Sequence, residues 1–464
     1  MTWFRPGDVC RERPVAVIVH SHGWSGTRAW GFEWELMGGI TVRRLLREGY
    51  GVVSIDARGH GESAGRAFFQ HPEQEVRDYR AVLDWIYDYL PWVEREGNPR
   101  QKDIVAGGAG ESYGGAFQLL TASFDPRLDA IVPVATWSDL NRSLAPGGVP
   151  RSAWLSYLYG VGKVHTNMDQ RLDQWYGETM ATNRVPGPAV TAFRESSPAT
   201  WIKKIDIPTL LLQGLPDTLF DINEAVRTFR GIRRNSAPAW LIGMNTGHLI
   251  PGIQPTGWDA PSRSMRDQCA DPVALTMRFY RAFLNGDREA RGDMADVPRV
   301  ILPTEQGQCV TGSNWPVSTK SVRVAIPTLA APQASGSYVI PLLTAKGRTV
   351  IAGIPRLRAT VPAELDDIFF VSLVTPQGQG FHVIDDQVTP IRTKVGRLDG
   401  GLEVELAGVA TTLETGDQLL LRVDAVNEQF ALNGSRRPGA VVLQDVTLRL
   451  PIASTLSRRV EAAR

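Results

Sequence analysis

The stretch "IVAGGAGESYGGAFQLL", residues 104–120, sets a Gly-x-Ser-x-Gly pentapeptide between a short apolar run and a segment of helical composition. A serine held on a sharp strand-to-helix turn projects its hydroxyl above the sheet, and the backbone N–H that follows it faces any oxyanion formed there. The flanking glycines are required because side chains at those positions would meet the neighbouring strand and helix. A second copy of the spelling, "GESAG" at residues 61–65, lacks this setting. Its preceding strand ends near Asp56 and no helix can begin before about Pro72, so Ser63 falls in a loop. Ser112 is the candidate nucleophile.

Working outward from Ser112, "PVAVIVH" (14–20), "YGVVSID" (50–56), "KDIVAGGA" (102–109), "LDAIVPVA" (128–135), "PTLLLQG" (208–214) and "PAWLIGM" (238–244) read as strands. They are apolar on both faces, the pattern of a parallel sheet covered by helices on each side. Between them, Val76, Tyr79, Leu83, Ile86 and Leu90 recur at helical spacing, as do Ala225, Val226, Phe229 and Ile232. The fold class is α/β, a doubly wound sheet of the α/β-hydrolase kind. Residues 137–201 interrupt the rhythm with an aromatic-rich insertion, Trp154, Trp175 and Phe193 among it, which reads as a helical lid. Past about Pro298 the pattern becomes short alternating strands between Gly, Pro, Asp and Asn turns, an all-β jelly roll.

With 464 residues the chain exceeds a single core, and the expected division is 1–290 for the α/β-hydrolase unit and 291–464 for the jelly roll. The connection at 285–297 is too short and too poor in Ser and Pro for a tether, so the tail is expected to pack on the first unit. Net charge is +1, from 50 basic and 49 acidic residues, which gives nucleic acid or an anionic membrane no electrostatic hold. No apolar run approaches the ~20 residues of a membrane helix. Cys10, Cys269 and Cys309 are the three cysteines; a bridge between Cys269 and Cys309 is compatible with the sequence and not implied by it. The N-terminus lacks a signal-peptide layout, so the expectation is cytoplasmic for the chain as written.

A nucleophilic serine needs a base and a group that orients it, and in this fold they follow in the order acid, then histidine, each just past a strand. Asp217 lies three residues beyond "PTLLLQG" and His248 four residues beyond "PAWLIGM". Asp221 is the second candidate acid, with a helix-capping role favoured by the helical pattern that begins there. The backbone N–H of Tyr113 and that of Trp24, which follows His-Gly in "SHGWSGTRAW", are the expected oxyanion donors. Two rival motifs are weak. "GHGESA" at 59–64 with Asp78 fits a loose dinucleotide fingerprint but opens no helix. His20 and His22 have no carboxylate-rich companion, so neither metal nor cofactor is expected.

"HSHGWSGTRAW", "DARGHGESAG", "GESYGG" with "DPRLDAIVPVATWSDLN", "QGLPDTLFDINEA" and the β-rich tail together resemble the X-Pro dipeptidyl-peptidase and cocaine-esterase-like serine hydrolases. The resemblance spans nearly the whole chain. It implies a Ser-Asp-His triad, matching Ser112, Asp217 and His248, and a jelly roll of the galactose-binding-like kind packed beside the catalytic unit. The substrates it implies are small esters, amides or short peptides, cleaved through an acyl-enzyme. The cocaine-esterase-like oxyanion tyrosine has no counterpart in "HGWSGTRAW", and no carboxylate can be assigned to hold a peptide's N-terminal ammonium. About 13 residues precede "VAVIVH" where such units begin with a β-hairpin. That shortness suggests a truncated start, an unpaired sheet edge and, if a leader is missing, an exported form. The alternative from another class is a non-catalytic protein on this fold whose jelly roll recognises carbohydrate or a partner.

Overall fold

The computed structural model describes residues 1–464 except 8, 98, 249–268, 333–335, 362–365, 395–396, 399–400, 432–441, 454–455 and 458–464. A ten-stranded sheet forms its centre. In chain order its strands are β1 (Thr2–Phe4), β2 (Val17–Ser21), β3 (Gly51–Ile55), β4 (Ala106–Glu111), β5 (Ala130–Val134), β6 (Thr209–Gly214), β7 (Ala239–Met244), β8 (Val300–Pro303) and β9 (Cys309–Gly312). Their spatial order is β1-β3-β2-β4-β5-β6-β7-β8-β9, with Leu456–Ser457 beyond β9. From β3 through to β8 all pairings are parallel.

The strands are apolar on both faces because both are covered. Val17 and Val19 point into one core with Tyr79, Phe117 and Phe229, while Ile18 between them joins a second with Leu45, Phe279 and Tyr280. The first core is closed by helices α1 (Arg77–Tyr89), α2 (Tyr113–Phe124) and α7 (Ile222–Arg234). The insertion between β5 and β6 is helical, with α3 (Leu140–Leu144), α4 (Ser152–His165), α5 (Gln170–Thr182) and α6 (Gly187–Glu195).

Two features differ from the sequence expectations. The edge of the sheet at β3 is paired after all, because Thr2–Phe4 runs antiparallel to it with Trp3 opposite Val53. Three residues are too few for a recognisable strand pattern. The segment expected to be a bare connection contains α9 (Arg288–Asp296), which is packed after α8 (Pro272–Phe283) and buries Ala290 and Met294. Cys269 and Cys309, left open by the sequence, are joined by a disulfide that ties the approach to α8 to the start of β9.

Glu35–Met37 and Ile40–Thr41 pair as a small two-stranded sheet, and the other strands form two antiparallel sheets, one of seven and one of five strands, packed as a β-sandwich. Leu357, Phe369, Leu421 and Leu448 lie in the core between them. The sandwich packs on the first unit through directed hydrogen bonds. Asn223 Nδ2 donates to Leu406 O at 2.9 Å, and Gly408 N–H donates back to Asn223 Oδ1 at 2.9 Å. Arg392 donates to the carbonyls of Gly148 and Asn183 in the insertion, at 2.9 and 3.2 Å.

Candidate active site

Ser112 joins β4 to α2 in the conformation φ 55°, ψ −116°, a region that non-glycine residues avoid. Its neighbours hold it there. Ser112 N–H donates to Val134 O at 2.9 Å, and Thr136 Oγ1 donates to Ser112 O at 2.7 Å. The glycine two residues on is obligatory, since a Cβ on Gly114 would lie 1.9 Å from Ser21 O.

Asp217, fully buried in the loop after β6, accepts four hydrogen bonds. Oδ1 receives the N–H groups of Leu219 and Phe220 at 2.9 and 2.8 Å. Oδ2 receives Gln213 Nε2–H at 3.0 Å and lies 3.0 Å from His248 Nδ1. The carboxylate can only accept, so Nδ1 of His248 carries the proton and Nε2 is left as an acceptor. That nitrogen lies 3.1 Å from Ser112 Oγ. The rings of Trp154 and Phe220 stand edge-on to the imidazole, with centroids 5.7 and 5.2 Å away. Residues from three different loops, 105 and 31 positions apart in sequence, thus form one hydrogen-bonded line.

Tyr113 is the first residue of α2, so its N–H has no acceptor within the helix. The loop carrying Trp24 passes alongside: a Cβ built on Gly23 would lie 4.0 Å from Ser112 Cβ. The indole of Trp24 donates from Nε1 to Leu158 O on α4 at 2.9 Å, tying this loop to the insertion. Glu111, next to Ser112, has its carboxyl pushed up to about 7 by burial, with nearby His248 pulling it the other way.

A pocket opens over Ser112 and Tyr113, and the insertion forms most of its wall, including Leu144, Leu158, Trp175 and Phe193. Trp24 and Phe220 complete it near the hydrogen-bonded line. None of the described residues lining it carries a charge. The insertion is therefore a wall of the pocket, as a lid would be.

The other candidates lie elsewhere or serve other ends. Ser63 donates its hydroxyl to Asp56 O at 2.8 Å inside the loop. Asp221 caps α7 by accepting from Asn223 N–H at 3.2 Å, and pairs with Arg151. Asp78 is engaged by Arg58 at 2.6 and 2.7 Å. His20 and His22 each spend both ring nitrogens on protein partners. Among the described residues no cluster of His, Cys, Asp and Glu could hold a metal ion.

Three contributors escaped the sequence reading. Thr136 gives no signal beyond being polar after a strand. Gln213 is legible in hindsight as the lone polar residue of "LLLQG". Gln387, from the sandwich, donates to Leu215 O at 2.7 Å and Asp217 O at 2.9 Å, bracing the acid loop from 170 residues away. No local pattern could announce it.

A family model described as X-Pro dipeptidyl-peptidase (S15 family) matches residues 2–250, more than half of the chain. Two curated relatives, described as serine esterases of Mycobacterium bovis and Mycobacterium tuberculosis, are each 30% identical over 120 residues. The match spans 25% of this chain and 17% of the length of each of those relatives. Among solved structures, a CocE/NonD family hydrolase from Staphylococcus aureus superposes with a TM-score of 0.66 at 16% identity, over 97% of this chain and 90% of that one. An α-amino acid ester hydrolase gives 0.65 at 13% identity, over 99% and 94%. An aminopeptidase from a marine sediment Thaumarchaeota archaeon gives 0.64 at 14% identity, over 97% and 92%. At these identities the likeness is one of fold, and it extends through the β-sandwich.

Proposed function

The chain belongs to the X-Pro dipeptidyl-peptidase (S15) family, and from that premise we propose that it is a serine hydrolase cleaving esters of apolar acyl groups. The observation that carries this reading is the line Asp217–His248–Ser112, with its distances of 3.0 and 3.1 Å. Ser112 Oγ attacks the carbonyl carbon as its proton passes to His248 Nε2. The oxyanion is held by the N–H groups of Tyr113 and Trp24. His248 then gives the proton to the departing alcohol, leaving an acyl-enzyme on Ser112. A water activated by the same nitrogen releases the acid. Asp217 keeps the imidazole in the required tautomer throughout.

The pocket favours uncharged acyl groups. An exopeptidase for X-Pro substrates must neutralise a peptide ammonium, and no described residue lining the pocket offers a carboxylate. We propose that the catalytic unit extends through Gly312, since β8 and β9 continue its sheet, and that the sandwich begins near Ser321. A panel of p-nitrophenyl esters beside X-Pro-p-nitroanilides tests the substrate class. Medium-chain esters should exceed the anilides by about 10²-fold or more in kcat/KM, the least by which an apolar pocket rejects an added polar group. Preference for an X-Pro anilide would overturn it.

A further inference from the structure

The loop "HSHGWSG", residues 20–26, contains a histidine that the chemistry above does not use. His22 is buried, and its partners fix its tautomer. Nε2 lies 3.1 Å from the N–H of Ala57, a group that can only donate, so Nε2 is unprotonated. Nδ1 therefore carries the proton, and it donates to Gly23 O at 2.7 Å. Burial holds the imidazole below its ordinary pKa, which keeps this neutral form.

We propose that His22 is a positioning residue for the oxyanion site, aiming the Trp24 N–H by gripping the carbonyl of the same peptide group. The inference rests on the reading of Ser112 as nucleophile and of the Trp24 N–H as donor. The Gly23–Trp24 peptide is planar, and in a trans peptide the C=O and N–H point in opposite directions. Fixing the oxygen fixes the hydrogen. Gly23 O also accepts from Gly26 N–H at 3.0 Å, which closes a tight turn with Ser25 at φ 65°. A turn closed by one bond can still rock about its end peptides; the imidazole supplies the second restraint on the same oxygen.

The surroundings are shaped to keep the ring in place. A Cβ on Gly26 would lie 3.2 Å from His22 Cβ and 3.3 Å from Nδ1, so a side chain there would press on the imidazole. On its other side the His60 ring packs with centroids 4.8 Å apart, and Trp24 in turn stands edge-on to His60 at 5.2 Å. His22 touches no substrate; it acts through the peptide it holds.

Two near-isosteric variants separate this role from simple packing. In His22→Asn the amide nitrogen takes the place of Nδ1 and can still donate to Gly23 O. In His22→Gln the amide reaches the place of Nε2, keeping the contact with Ala57 N–H and losing the one with Gly23 O. The expected result is a kcat for His22→Gln about tenfold or more below that of His22→Asn, since a misaimed oxyanion donor loses part of the 10²–10³-fold effect of a missing one. KM should stay within about threefold of wild type, and the Ki of an alkylboronic acid, which mimics the tetrahedral adduct, should rise with the loss in kcat. Rates are taken per fluorophosphonate-titrated site, so partial misfolding does not mimic the effect. Equal kcat for the two variants, a larger loss in Asn than in Gln, or a loss carried by KM alone would overturn the inference. The wild-type protein adds a check free of variants: the Nδ1 proton of His22 should be visible by NMR and should shift when the boronic acid binds. An exchange-averaged or unresponsive signal overturns it as well. Ser112→Ala is measured alongside: if that variant still hydrolyses esters, the underlying reading fails. If it is inactive while the Asn and Gln variants match, only the role of His22 fails.

Discussion

Asp217 spends all its acceptor capacity on a fixed set of donors, and the N–H groups of Leu219 and Phe220 would still hold the oxygen of an amide there, although its NH2 would face Gln213 Nε2 donor to donor. An amide cannot enforce the tautomer, however. Asp217→Asn should keep the fold and lose roughly 10⁴-fold in kcat. Asp221→Asn should leave kcat within a few-fold, since Asn also caps helices well. The reverse pattern would mean that the acid has been misassigned. This distinction was legible in sequence, because Asp221 begins a helical pattern and Asp217 does not. His20 is buried within β2 without an ionic partner among its hydrogen bonds to the described residues. Its Nε2–H donates to Leu36 O at 3.2 Å, so Nδ1 accepts from the Ser54 hydroxyl at 2.8 Å, and burial pushes its pKa down to about 3. The unfolded chain, with an imidazole near 6.5, binds the extra proton between those values. The stability due to neutral His20 is therefore complete above about pH 6.5 and is lost as pH falls toward 3. Urea unfolding at pH 7.5 and 5.5 should show wild type losing about 1.4 kcal/mol more than His20→Asn across that interval. Parallel losses would show that His20 is not held neutral.

At the scale of elements, the parallel strands were readable because burial on both faces leaves no polar alternation. Expected and observed limits agree closely for "PTLLLQG" and Thr209–Gly214, whereas "KDIVAGGA" (102–109) becomes a strand only from Ala106 to Glu111. What was missed has physical causes. α9 is largely charged, with Ala290 and Met294 as its buried residues, so its periodicity was too sparse to register. β8 and β9 precede the sandwich in sequence yet belong to the first sheet, a choice made by pairing with β7 rather than by composition. The disulfide depends on the same choice, because only the β8–β9 hairpin brings Cys309 to Cys269. Thiol titration in denaturant without reductant should count one thiol, Cys10, and three after reduction. With the cysteines 40 positions apart in sequence, replacing both by serine should cost up to about 4 kcal/mol in urea unfolding on the chain-entropy account. Three thiols before reduction would contradict the bridge. The count also bears on the cytoplasmic expectation, since stable disulfides belong mainly to oxidising compartments.

For the whole molecule, the fold class and the packed tail were both legible, whereas the tail's hold on the site was not. Gln387 braces the loop of Asp217, and Arg392 and Asn223 lock the sandwich to the insertion and to α7. A chain ending at Gly286 would lose these contacts along with β8, β9 and Cys309. It should be insoluble or inactive, and a soluble fragment with full esterase activity would show that the tail takes no part. Among the described residues no helix is long and apolar enough to cross a membrane. Ser112, and not Ser63, is expected to form the covalent intermediate. Trypsin separates the two serines, placing Ser112 in the peptide 103–127 and Ser63 in 59–66. After treatment with a fluorophosphonate, mass spectrometry of the digest should find the adduct on Ser112 alone. The Ser63→Ala protein should label as wild type does, and Ser112→Ala should not label. An adduct on Ser63, or ester hydrolysis by a wild-type protein that the reagent leaves unmodified, would contradict the account.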